Sequence, residues 1–169
     1  DQDTIFPNRT TIDIDPARKP QIVGDAQSMP FKDESYDTIL CTEVLEHIPN
    51  PQKAIDEMYR VLRPGGTLIL TTRFLFPVHD APGDYWRFTP YGLRSLFTRW
   101  EILEEEVETD AFLTIAVLLQ RIMFQTDLRG GKITKGILLL VTYAFTKLDW
   151  LLVRRYGDIG RTDTVPVLM

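Results

Sequence analysis

Four polar residues stand where a nucleoside could be gripped. Asp13 lies at or near the end of a short β-type run, Thr10–Asp15, which Pro16 stops. A carboxylate there can accept hydrogen bonds from both hydroxyls of a ribose. Asp25 follows a second run, Gln21–Gly24, and precedes Ala26. A carboxylate beside a free backbone N–H can grip an adenine edge through its amino group and a ring nitrogen. Glu43 and His47 follow a third run, Tyr36–Cys41. Taken singly, each acid also reads as a solvated loop residue or a helix cap. A second group lies in an aromatic stretch, Phe74 to Phe88, where His79, Asp84, Tyr85 and Arg87 are polar among rings. That is the composition of a small-molecule pocket. The competing reading makes Tyr85, Trp86 and Phe88 a hydrophobic plug and pairs Arg87 with Asp84 or Asp80. Histidine titrates near neutral pH, so His79 and His47 are the candidate bases.

These residues need elements to hold them. Tyr36–Cys41 has the length and β-branching of a buried strand. Asn50 is a good N-cap, Pro51 suits the first helical position, and Ala54, Ile55, Met58, Val61 and Leu62 share one helical face. Asp56 and Arg60 are spaced as an i,i+4 pair. Pro64-Gly65-Gly66 ends that helix, and Thr67–Thr72 has the near-continuous apolar middle of a strand buried on both faces. Strand, helix, strand with short links is a βαβ unit. The fold class expected is therefore α/β: a Rossmann-like, mostly parallel open sheet with flanking helices and functional groups at the carboxyl ends of its strands. Thr89-Pro90 starts another helix, Glu101–Thr109 reads as a strand, and two apolar helices cover about 112–126 and 133–154. Thr164–Leu168 could form a last strand. No boundary is visible inside the chain, so 1–169 reads as one domain, with 111–155 as an apolar helical extension.

Four blocks recur in order. They are Gly24-Asp25-Ala26-Gln27-Ser28-Met29-Pro30-Phe31, Tyr36-Asp37, Glu43-Val44-Leu45-Glu46-His47-Ile48 and Arg60-Val61-Leu62-Arg63-Pro64-Gly65-Gly66. Together they resemble class I S-adenosylmethionine-dependent methyltransferases, above all the type 11 group of small-molecule enzymes. The resemblance covers about Asp13 to Thr72. It implies S-adenosylmethionine as cofactor, with Asp13 on the ribose, Asp25 and Ala26 on the adenine and Met29 packed on the adenine face. It also implies that the Thr42–His47 loop, with Glu43, flanks the methionine part and the substrate. Phe76-Pro77-Val78-His79 and Pro82–Thr89 resemble a subgroup whose loop lies over the acceptor pocket, which implies Asp84, Tyr85 and Arg87 as substrate contacts and a small-molecule methyl acceptor.

The sequence departs from that family in one respect. Members open with a strand, a Gly-rich loop and a helix, and no Gly-x-Gly pattern precedes Asp13. The absent strand would lie between the Thr10–Asp15 and Tyr36–Cys41 strands. Three outcomes follow: the chain is a fragment, a partner chain or second copy completes the sheet, or the two strands pair directly. An incomplete site would make this a catalytically incomplete subunit acting as a binding module. A nicotinamide-dependent oxidoreductase shares the sheet but needs Gly-x-Gly-x-x-Gly.

Composition narrows the classes. At 169 residues the chain is the size of one domain, and 44% hydrophobic with 25% charged residues is globular composition. A net charge of −5 argues against a duplex nucleic-acid partner, which would meet a basic face. Two histidines and one cysteine are too few for a zinc cage, so no metal is expected. Cys41 can form no intrachain disulfide, and with no secretory leader after Asp1-Gln2-Asp3 a cytoplasmic location is expected. The C-terminal helices, striped by Ile115, Leu118, Leu119, Ile122 and Met123 and by Ile137–Val141 with Trp150, read as core or as a subunit contact, hence an oligomer. A membrane surface is the alternative, which Lys132, Lys135, Lys147, Arg154 and Arg155 would suit.

Overall fold

The computed structural model describes residues 8–106, 111–125 and 131–156. They fall into two compact units. The first holds residues 8–72 and 82–100, the second residues 73–81, 101–106, 111–125 and 131–156. The expected strand at Thr164–Leu168 and the last three residues of Glu101–Thr109, 107–109, lie outside the described residues. Residues 101–106 form no continuous strand.

The first unit is built on two parallel strand pairs. β1 (Ile12–Asp13) pairs with β2 (Ile22–Val23), Asp13 opposite Val23. β3 (Tyr36–Thr42) pairs with β4 (Leu62–Thr71). Among the described residues the two pairs do not join, so β1 and β3 are not bonded to each other as a shrunken sheet would require. The α/β class, with open parallel strands and flanking helices, holds.

The crossover from β3 to β4 is α1 (Pro51–Val61). Its start follows from the sequence: Asn50 Oδ1 accepts from the Lys53 N–H at 3.2 Å, and Pro51 occupies the first turn. Ala54, Ile55, Met58 and Val61 are buried, and α1 packs on β4. The expected Asp56–Arg60 pair does not form. Asp56 accepts from Gln52 instead, while Arg60 finds stronger partners in Glu57 and Asp33. Arg60 also donates to the Met29 and Phe31 carbonyls, so one guanidinium ties the 29–33 loop to the end of α1.

Two expectations about strands are corrected. Pro64-Gly65-Gly66 does not separate helix from strand: β4 begins directly after α1, and the triplet forms an excursion where the register shifts between Tyr36 and Thr38. Gly66 is needed there, because a Cβ would come within 2.9 Å of the Arg63 carbonyl oxygen and 3.0 Å of that of Asp37. Nor are β3 and β4 buried on both faces. Only Cys41 of β3, and Leu62 and Leu68 of β4, are buried. Two faces of continuous apolar residues need cover on both sides, and α1 supplies one.

A second helix, α2 (Pro90–Leu96), starts at Thr89, whose hydroxyl accepts from the Gly92 N–H at 3.0 Å. It ends at Phe97, which is buried and meets Trp100 edge-on.

The second unit holds the long helices α3 (Ala111–Gln125) and α4 (Gly131–Tyr156), packed on each other with Phe112 stacked on Phe145. Ala116 and Met123 of α3 are buried. Ile115, Ile122, Ile137, Leu139, Leu140 and Trp150 are exposed, so the expected core stripes are covered only in part. Among the described residues no helix is long and apolar enough to cross a membrane.

Candidate functional site

Parallel pairing decides where the first acids lie. Asp13 closes β1 and Asp25 follows β2, so both stand beyond the carboxyl edge of the same strand pair. Asp13 Oδ1 accepts from the Asp15 N–H at 2.9 Å, and its Oδ2 lies 3.8 Å from Arg18 Nε in an exposed pair. Such a contact is weak in water and leaves the carboxylate able to accept further donors. Asp25 Oδ1 accepts from the Gln27 N–H at 2.8 Å, and the Gln27 amide nitrogen spans both oxygens at 3.2 and 3.1 Å. Gln27 Oε1 in turn accepts from the Asn50 N–H, which fixes this loop to the cap of α1. Among the described residues no acceptor meets the Ala26 N–H. An acceptor-rich carboxylate beside an unmet donor is the arrangement an adenine edge needs, and a carboxylate has about four lone-pair sites to share.

Met29 is buried. Its N–H donates to Glu57 Oε2 at 2.8 Å and its carbonyl accepts from Arg60. Hydrogen bonding from Arg60 holds the Glu57 carboxyl below its ordinary range against a smaller opposing effect of burial. Glu43 follows β3 with φ of 55°, the left-handed region, which costs a non-glycine residue about 1 kcal/mol. Its N–H donates to the Thr71 carbonyl and its Oε1 accepts from the Thr71 hydroxyl, both at 2.9 Å, so β4 holds that conformation in place.

The aromatic loop is fastened to the turn after β3. A short 3-10 turn, Leu45–His47, presents the Glu46 carbonyl to the Tyr85 and Trp86 N–H groups at 3.0 and 3.2 Å. The Trp86 indole donates to the Ile48 carbonyl at 2.9 Å. His47 Nδ1 lies 2.7 Å from the Gly83 carbonyl oxygen. A carbonyl only accepts, so in the neutral ring Nδ1 carries the proton and Nε2 the basic lone pair. No neighbour in sequence orients His47; the Gly83 carbonyl, 36 residues away, does.

Arg87 donates to both oxygens of Asp84 at 2.6 Å, and the Asp84 side chain is 1% exposed. That bonding, more than any other effect, raises the Arg87 pKa. Of the two readings of this stretch, the Arg87–Asp84 pairing is present. The plug is not, since Tyr85 and Trp86 are exposed. Trp86, Arg87 and Phe88 line an open groove of about 550 Å³ together with Asn50, Gln52 and Leu96.

Glu46 went unrecognised in the sequence. It is fully buried; Oε2 accepts from the Thr72 hydroxyl at 2.9 Å, and Oε1 is buried with no hydrogen-bond partner among the described residues. The available signal was an acid directly after Leu45 and two before Ile48, both core residues. Burial, and then the nearby Glu46 charge, push the Cys41 thiol up to about 12, so Cys41 is no nucleophile at neutral pH. His79 belongs to the second unit, where its ring meets Phe76 edge-on at 4.8 Å and its Nδ1 lies 3.3 Å from the Pro77 carbonyl.

Residues 7–70 match the family described as methyltransferase domain. The demethylmenaquinone methyltransferase of Paenarthrobacter aurescens is 39% identical over 77 residues, covering 44% of this chain and 28% of that protein. The ubiquinone/menaquinone biosynthesis C-methyltransferase UbiE of a Ruegeria species is 41% identical over 49 residues, covering 29% and 20%. The chain thus spans about a quarter of the length of these curated relatives. The crystal structure of the Bacillus halodurans protein BH2331 is 25% identical, with a TM-score of 0.46, covering 62% of this chain and 55% of that one.

Proposed function

We propose that this chain, whose residues 7–70 match the methyltransferase domain family, serves S-adenosylmethionine-dependent methyl transfer to a small-molecule acceptor. The observation that carries the proposal is the pair of carboxylates, Asp13 and Asp25, beyond one edge of a parallel strand pair, with the unmet Ala26 N–H beside the second. When bound, S-adenosylmethionine supplies a methyl group activated by positive sulfur. Asp13 would accept the ribose hydroxyls, and Asp25 with the Ala26 N–H would hold the adenine edge. Met29 would pack on the adenine face, and Glu43 would border the methionine end.

The protein's share of such a reaction is chiefly alignment, which can supply about 7–11 kcal/mol. Asp84, Tyr85 and Arg87 are the proposed acceptor contacts. The buried Asp84–Arg87 pair favours a rigid loop, with the exposed Tyr85 ring as its contact surface. His47, with its proton on Nδ1 and its lone pair on Nε2, is suited to take a proton from the acceptor; His79 is the second candidate. The names of the two relatives, a demethylmenaquinone methyltransferase and a ubiquinone/menaquinone biosynthesis C-methyltransferase, favour a small organic acceptor. A cytoplasmic location accords with the free Cys41.

Calorimetric titration of the full chain with S-adenosylmethionine tests this. Saturable binding that Asp25→Ala abolishes supports it. No binding by a folded chain overturns it, and unchanged affinity in D25A overturns the adenine assignment.

A further inference from the structure

The outer side of α4 is apolar along most of its length. Ile133, Ile137, Leu140 and Leu151 recur at i, i+4, i+7 and i+18 and so share one line along the helix, with Leu139 and Tyr143 in a row beside it. All six side chains are at least half exposed. On the opposite side Val141, Phe145 and Leu148 are half-buried, and Phe145 stacks on Phe112 of α3. A helix that is hydrophobic all round is ordinarily buried all round. Here α3 covers one side, and the open side calls for an apolar cover.

Charge restricts what that cover is. Residues 111–156 carry seven of the chain's 19 cations and two of its 24 acids, so this stretch is at +5 in a chain whose total is −5. Lys132, Lys135 and Lys147 are exposed, and none of the exposed side chains described on α4 is acidic. Lys147 Nζ lies 5.4 Å from the Tyr143 ring centroid, so its stem runs over apolar surface and its charge stands at the margin. A second copy docking through the same face would set these lysines against their counterparts, and like charges facing each other oppose association. An anionic lipid surface meets both features, with acyl chains for the apolar rows and phosphates for the lysines. Among the described residues no helix is long and apolar enough to cross a membrane, so α4 is suited to lie on the surface.

We propose that the exposed face of α4 docks on an anionic lipid bilayer, with the helix in the plane of the surface. Ile133, Ile137, Leu140 and Leu151 enter the acyl boundary, and Lys132, Lys135 and Lys147 stand at the level of the lipid phosphates. None of these residues is assigned to methyl transfer, and the test is independent of that assignment.

The full chain is sedimented with phosphatidylcholine vesicles, with and without phosphatidylglycerol. Binding is expected with phosphatidylglycerol, weakening as salt is raised, and about tenfold weaker or more without it. Lys132→Gln combined with Lys135→Gln should weaken it about tenfold, because each cation near the surface contributes separately. Ile137→Gln combined with Leu140→Gln should weaken it by about the same factor through lost apolar burial. All four side chains are exposed, so both double variants should keep the far-UV spectrum of the wild type. A chain that does not bind phosphatidylglycerol vesicles overturns the proposal. So does binding that either double variant leaves intact: loss of the lysines without effect would exclude the charge contact, and loss of the apolar pair without effect would exclude insertion. Sedimentation equilibrium without lipid completes the test. A dimer that I137Q with L140Q dissociates would assign the face to a second copy and overturn the lipid reading.

Discussion

At the scale of single residues, charge is placed by partners that lie far away in sequence. Arg60 gathers Glu57, Asp33 and two carbonyls, and replacing it by Met would keep the apolar stem while stranding those acceptors. Both side chains of the Arg60–Glu57 pair are partly exposed, which tempers the cost to about 2 kcal/mol, read as a lower urea midpoint. The pH dependence has a definite sign. The folded Glu57 pKa is depressed, so its stabilisation is complete above the unfolded carboxyl value, about 4.3, and is lost as pH falls through the folded value. Glu57→Gln should flatten the acid limb of stability against pH; an unaltered limb would refute that role. Cys41 works in the opposite sense. Its raised pKa gives stability that is full below the ordinary thiol value of 9.0 and is lost as pH rises towards about 12. Its reaction with a disulfide reagent at pH 8 should be at least tenfold slower in the folded chain than in urea, since the thiolate is the nucleophile. Asp13 and Asp25 were legible in the sequence because a stop, Pro16 or Ala26 with its turn, marks each strand end locally. Glu46 was not, because its burial comes from Thr72 and from the loop at Tyr85 and Trp86.

At the scale of elements, α1 was legible and the strands only in outline. The helix announces itself within its own residues, through the Asn50 cap, Pro51 and an apolar face that recurs every turn. Asn50→Ala should cost about 1 kcal/mol, because the Lys53 N–H loses its acceptor; a thermal melt checks it. Strand burial depends on what lies against each face, which a local run of β-branched residues does not encode. The apolar middle of β4 therefore suggested two covered faces where one is covered. The glycine excursion is similar: Pro64-Gly65-Gly66 signals a turn, yet the constraint is the nearness of the Arg63 and Asp37 carbonyls to Gly66. Gly66→Ala should push β4 from β3 and cost more than about 2 kcal/mol, whereas a packing-neutral outcome would show that the backbone yields there.

Across the molecule, order is unevenly distributed, and the proposed cofactor contacts lie on the less secured side. In the first unit the buried residues gather around α1, β4 and Phe97, and β3 pairs with β4 over most of its length. β1 and β2 are two residues each, joined through bonds such as Ile22 N–H to the Thr11 carbonyl and Gly24 N–H to the Asp13 carbonyl. So short a ladder has little to lose on opening, and amide exchange there should be orders of magnitude faster than along α1 and the β3–β4 pair. Since Asp13 and Asp25 sit at the ends of this pair, opening it would separate the two groups proposed to hold the nucleoside. A ligand that binds only the closed form must then slow exchange at the Gly24 amide by a factor of one plus its concentration over its Kd, about 100-fold at a hundredfold excess over Kd. Buried amides of α1, which exchange by larger openings, should gain no more than that factor. Protection of Gly24 that S-adenosylmethionine leaves unchanged would place the nucleoside away from the β1–β2 edge, whatever the affinity of the chain for it.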